Sequence, residues 1–88
     1  MEILKKFKVR NVAGENLILL QGNNAGDMSK VVALNATSMF LWNSFQDKTF
    51  ELQDVADALC REYEVEASVA LNDAQMWVDK LKQQGIIQ

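Results

Sequence analysis

Histidine and proline are absent from the 88 residues, and cysteine occurs once, at Cys60. Without histidine, the commonest general base and the commonest metal ligand are both missing. A single thiol makes neither an internal disulfide nor a zinc cluster, and the lone cysteine fits a reducing compartment. No GxxxxGK[ST] or GxGxxG stretch is present to cradle a phosphate. No segment approaches the roughly 18–20 uninterrupted apolar residues of a membrane span, and no Gly/Ser-rich or Pro-rich run marks a linker or repeat. The opening "MEILKKFKVR" is basic but lacks the apolar centre of a secretory signal. A cytoplasmic protein without metal or cofactor is the expectation. Basic surplus is lacking too: the formal charge is −3, which weighs against binding to a phosphate backbone.

What is present is apolar. About half the residues are hydrophobic, enough for one core, since a chain of this length hides only about 60–65% of its unfolded surface. One domain over residues 1–88 is therefore expected. "FKVRNV" (7–12) alternates Phe7 and Val9 with Lys8 and Arg10, the pattern of a half-buried strand. "AGEN" (13–16) offers a turn, and "LILL" (17–20) a returning strand. "QGNNAGDMS" (21–29) reads as a loop, and "KVVAL" (30–34) as a third strand.

Asn35 then stands where a helix N-cap belongs, with a first helix expected over 36–46. Met39, Phe40, Leu41 and Trp42 are consecutive and cover a whole turn, so this helix should be nearly surrounded by protein. A second helix over 51–62 carries Leu52, Val55, Ala56, Leu59 and Tyr63 on one stripe. The third, over 67–84, has Ala70, Ala74, Trp77, Val78 and Leu81 as its stripe. Gly85 follows to end it, and Ile86 and Ile87 fold back beneath. The order βββααα predicts a winged-helix-like α+β fold, a three-stranded antiparallel sheet followed by three helices.

Asp54, Asp57 and Glu62 share the wet face of the second helix, but a solvated charged face describes them better than a catalytic pair, which needs a buried cleft. Cys60, with no histidine to activate it, reads as a small packed hydrophobe. The chain is expected not to be an enzyme.

Some apolar residues are not obviously used by the core. On the third helix, Trp77 lies about 20° from Ala70, Asp73 about 60°, Lys80 about 80°, and Val69 and Met76 about 100–120°, all on one side. This mixed stripe flanks the core stripe. "VVAL" does not alternate, so one of its faces is apolar outside the main core. If the third strand is an edge, it and the helix bearing Met76, Trp77 and Lys80 make a groove where an extended peptide adds as a further strand. The plainer alternative makes Val31–Leu34 ordinary core strand and leaves Val69 and Met76 as scattered surface residues.

A resemblance bears on that choice. "LNATSMFLWNSF" (34–45), "DVADALCREYEVE" (54–66) and "ALNDAQMWVDKLKQQGII" (70–87) resemble the PqqD-like family. Its pattern is roughly LN-x-T/S-x-x-x-LW, a helix ending L-x-x-x-Y-x-V, and a last helix ending L-x-x-x-G followed by two hydrophobic residues. Leu34, Asn35, Leu41, Trp42, Leu59, Tyr63, Val65, Leu81 and Gly85 fall at the matching places, and the resemblance covers nearly the whole chain. It implies a non-catalytic recognition element of pathways that make ribosomally synthesised and modified peptides. The leader segment of a precursor peptide docks as a strand and is handed to a modifying enzyme, often a radical S-adenosylmethionine enzyme. Carried onto this chain, the strand side of the groove is Lys30, Val31, Val32, Ala33 and Leu34. The helix side is Asp73, Met76, Trp77 and Lys80, chosen by rotation because the family has no strict motif there. Members of the pyrroloquinoline quinone pathway resemble L-D-E-T before the first helix and D-G after it. This chain has "LNAT" and "DK", so the resemblance carries the module and not the pathway.

Two alternatives remain. A winged helix reading DNA needs Arg or Lys at the start of its last helix, where this chain has "EYEVEASVALND". A structural or dimerising module would cover Val31–Leu34 with a second copy. Membrane and nucleic acid are not expected partners. The groove also predicts that Val32→Pro abolishes docking, provided the Val32 N–H faces the ligand.

Overall fold

Two residues decide the shape of the first hairpin. Ala13 and Gly14 both hold positive φ, 53° and 85°, the mirror-image turn whose twist suits a two-residue connection between antiparallel strands. The computed structural model describes residues 1–19 and 31–88. In it, β1 (Val9–Val12) and β2 (Glu15–Leu19) flank this turn, and β3 (Val31–Leu34) pairs antiparallel with β2 in the order β1-β2-β3. Because the turn consumes only Ala13 and Gly14, β2 begins at Glu15, two residues before the start suggested by its apolar run. Leu20, the expected loop at 21–29 and Lys30 lie outside the described residues.

The helices are α1 (Ala36–Phe45), α2 (Leu52–Glu62) and α3 (Ala67–Gln83). The architecture is thus α+β, three antiparallel strands followed by three helices, as the sequence predicted. Helix α1 starts where Asn35 Oδ1 accepts from the Ser38 N–H at 2.8 Å, satisfying one of the donors a helix start leaves orphaned. It buries Leu41, Trp42 and Phe45, with Met39 and Phe40 partly covered, and so is wrapped by protein over most of its circumference. At α2 the Glu51 N–H donates to Asp54 Oδ2 at 2.8 Å. Val55, Ala56, Ala58 and Leu59 are buried. Cys60 corrects its expected packing: it is exposed, because the buried face of α2 turns toward Ala58 and away from position 60.

Helix α3 buries Ala70, Ala74, Trp77, Val78 and Leu81, the stripe read from sequence. Its end is fixed by Gly85 at φ 74°, whose N–H donates to the Lys82 carbonyl at 3.0 Å while Ile86 N–H reaches the Leu81 carbonyl at 2.8 Å. This paired closure requires a left-handed residue at position 85. The chain then folds back, burying Ile86 and Ile87. Their partner was not evident in the sequence: Ile3 bridges to Ile87, with Leu4 N–H donating to the Ile86 carbonyl at 2.9 Å. Aromatic rings join the helices, Phe45 to Phe50 at 4.8 Å and Phe50 to Trp77 at 6.4 Å between centroids. Among the described residues, no polar or charged residue is buried.

Candidate functional site

Among the described residues, strand β3 has one paired edge and one open edge, and the register says which residues serve each. A two-residue turn makes Val12 and Glu15 a hydrogen-bonded pair, and bonded and non-bonded pairs then alternate. Across β2 and β3 the bonded pairs are therefore Asn16–Leu34 and Ile18–Val32. Asn11 and Asn16 form a non-bonded pair, where side chains approach closely, and their amides meet at 3.2 Å. Val32 and Leu34 commit their N–H and C=O groups to β2. Val31 and Ala33 direct theirs to the other edge, with which no described strand pairs.

Side chains follow the same alternation. Val32 and Leu34 are 4% and 6% exposed and belong to the core, whereas Val31 is 47% exposed and Ala33 is exposed. The non-alternating "VVAL" thus has an apolar inner face and an apolar outer face. The condition attached to Val32→Pro is not met. The Val32 N–H faces β2, so proline there strikes the sheet, while Ala33 is the position whose N–H looks outward.

Beyond β3 the chain passes through Asn35 into α1, and here a cleft of about 360 Å³ opens. Asn35, Thr37 and Ser38 line it from the start of α1, Leu41 and Leu59 provide its apolar floor, and Asp73, Met76, Trp77 and Lys80 come from α3. All four helix residues chosen by rotation therefore share one cleft. Val31 to Leu34 do not line it; β3 leads to its rim through Asn35. Thr37, Ser38, Leu41 and Leu59 were not chosen from the sequence. Leu41 and Leu59 were visible only as core positions, since the meeting of α1 and α2 beneath α3 is a tertiary fact. Thr37 and Ser38 did carry a signal, as the polar first turn directly after the strand.

The α3 wall is mixed in character. Met76 is 63% exposed and Trp77 only 7%, yet the buried indole Nε1 has no hydrogen-bond partner among the described residues. Most buried donors are paired, and leaving one unpaired costs about 1–3 kcal/mol. Asp73 and Lys80 are exposed at the rim. A larger hollow, about 540 Å³, lies elsewhere, with walls from the segment before β1, the β1–β2 hairpin and α1, and none from α3.

Two of the three carboxylates noted on α2 have structural partners. Asp54 accepts from the Glu51 N–H, and Asp57 Oδ1 accepts from Gln53 Nε2 at 2.9 Å. Among the described residues no cluster of three or more potential metal ligands occurs, and no helix is long and apolar enough to cross a membrane.

Comparison with known proteins places the chain beside a family and a solved structure. The family model described as coenzyme PQQ synthesis protein D (PqqD) matches residues 16–87. Among solved structures, the chain resembles TbiB1 in complex with the TbiA(beta) leader peptide, with a TM-score of 0.72 and 17% identity, over 100% of this chain and 95% of that one. At that identity the likeness speaks to the fold. No curated protein is matched by the sequence.

Proposed function

The chain belongs to the PqqD family, and on that premise we propose that it is a peptide-binding module that captures the leader segment of a ribosomally made precursor. The observation that carries this reading is the open edge of β3 leading into an apolar cleft. Val31 and Ala33 turn outward N–H and C=O groups that no described strand pairs, which suits strand addition, and the cleft at the end of the strand suits a side chain of the added segment. The similarly folded TbiB1, whose structure holds a leader peptide, supports the same reading.

In this proposal the leader lies along Val31–Leu34, with main-chain contacts at Val31 and Ala33, and reaches Asp73, Met76, Trp77 and Lys80. The module performs no chemistry itself. It presents the precursor to a modifying enzyme of the radical S-adenosylmethionine type, in the cytoplasm. The start of α3 is flanked by Glu62, Glu64 and Glu66, all exposed, which opposes contact with phosphate backbones.

The test is an NMR titration of the isotope-labelled protein with synthetic peptides matching the leader segments of short precursors encoded beside its gene. Shifts concentrated at Val31–Leu34 and Asp73–Lys80 are expected. Shifts confined to other surfaces would move the site. No shifts, combined with a dimer whose contacts protect Val31 and Ala33, would replace peptide capture by self-association.

A further inference from the structure

Among the described residues, the charged ones lining the cleft are Asp73 and Lys80, and both stand on the α3 wall. Being seven positions apart, they point in nearly the same direction and are separated along the helix by about 10.5 Å. The wall facing them consists of Asn35, Thr37 and Ser38, with no charge.

Neither charge has an intrahelical ion-pair partner, although Lys80, in the last turn of α3, also suits the negative end of the helix dipole. Opposite charges stabilise a helix at spacings of three and four. Around Asp73 those positions hold Val69, Ala70, Met76 and Trp77, and around Lys80 they hold Met76, Trp77, Gln83 and Gln84. The other helical aspartates each accept a hydrogen bond, Asp54 from the Glu51 N–H, Asp57 from Gln53 and Asp79 from Gln75. Asp73 has no such partner among the described residues. Met76 and Trp77 lie between the two charges, above the Leu41 and Leu59 floor.

We propose that Asp73 and Lys80 select the charge order of the docked peptide: a basic side chain at the Asp73 end, an apolar side chain over Leu41 and Leu59, and an acidic side chain at the Lys80 end. This rests on the peptide-capture reading and adds the chemical class of its occupant. An extended chain rises about 3.3 Å per residue and shows alternate side chains to one wall. Three residues at i, i+2 and i+4 span about 13 Å, close enough to the 10.5 Å separation for long side chains to meet both charges. The two charges thereby fix the direction in which the peptide lies, which an apolar pocket alone leaves undetermined. Exposed ion pairs are individually weak, about two- to fivefold in affinity, so the pair acts on register and direction more than on total affinity.

The test is a selection of random linear twelve-residue peptides displayed on their encoding RNA against the immobilised full chain, followed by affinity measurements. The measurements compare one enriched peptide with the same peptide carrying its two charges exchanged. Enriched sequences are expected to share basic–x–apolar–x–acidic, or its reverse, in one consistent order, with the enriched order binding about four- to twentyfold tighter. The doubly substituted protein, Asp73→Lys with Lys80→Asp, should prefer the exchanged peptide. Both positions are exposed, and circular dichroism checks that the variant is folded. Enriched peptides without a charge order, or an order that survives the double substitution, would overturn this proposal and leave peptide capture intact. No enrichment at all would remove peptide capture and this inference with it.

Discussion

The two walls of the proposed groove are built from different parts of the chain. Strand β3 offers its backbone: Val31 and Ala33 turn their N–H and C=O groups outward, while their small side chains ask little of a partner. Helix α3 has no free backbone to offer along its length and presents side chains instead, one buried aromatic, one exposed thioether and two charges. A backbone edge accepts almost any extended sequence, and a side-chain wall discriminates. Under the peptide-capture proposal, affinity that tolerates sequence and selectivity that depends on it fall to separate elements, and each should be open to disabling without the other.

The largest effect expected is on the helix side. Trp77→Ala should cost about 3–5 kcal/mol in urea unfolding, because the ring contacts Phe50 and is nearly fully buried. That is a large part of the 5–15 kcal/mol typical of a whole domain. Trp77→Phe keeps much of the apolar contact and deletes the unpartnered N–H, so it should be far milder. A cost as large as that of Ala would show that the indole N–H is satisfied in solution.

On the strand side, neighbouring prolines separate core from groove. Val32→Pro removes a ladder donor and a buried valine, and should cost about 3 kcal/mol or more. Ala33→Pro lies in the edge position where a strand tolerates proline. It should leave the unfolding midpoint nearly unchanged while weakening peptide binding about tenfold or more, through loss of an outward donor and its replacement by a ring. Equal losses of stability at both positions would show that the β3 edge is already paired.

The helical wall was legible in the sequence because rotation per residue is regular: four residues chosen by angle meet in one cleft. The alternation within β3 was half legible. Two apolar faces could be read from "VVAL", but the direction of each N–H depended on the turn at Ala13 and Gly14, and "AGEN" did not say whether the turn took two residues or four. A change of one residue there reverses which edge each N–H faces, so the sequence leaves open whether Val32 or Ala33 turns its N–H outward; in the structure it is Ala33. The floor of the cleft and the Ile3–Ile87 bridge were not legible, since each joins residues distant in sequence with no local periodicity between them. Cys60 was misplaced for a related reason: it borders the buried stripe, and which border is covered depends on the neighbouring helix.

The smallest expected effects isolate the groove from the fold most cleanly. Met76→Ala removes a side chain that is 63% exposed, so stability should stay within about 0.5 kcal/mol. Its thioether accepts only a 3.7 Å contact from Asn72 Nδ2, too weak to anchor the helix surface. If the peptide's apolar side chain packs beneath Met76, affinity should fall about three- to tenfold, the scale of a partly buried methylene chain. Val31→Thr sits opposite. It keeps the branched shape and the outward N–H of an exposed strand residue, so calorimetric titration should find affinity and stability both nearly unchanged. A loss at Val31 comparable to that at Met76 would mean that the strand wall also reads side chains, and the division between a permissive edge and a selective helix would fail.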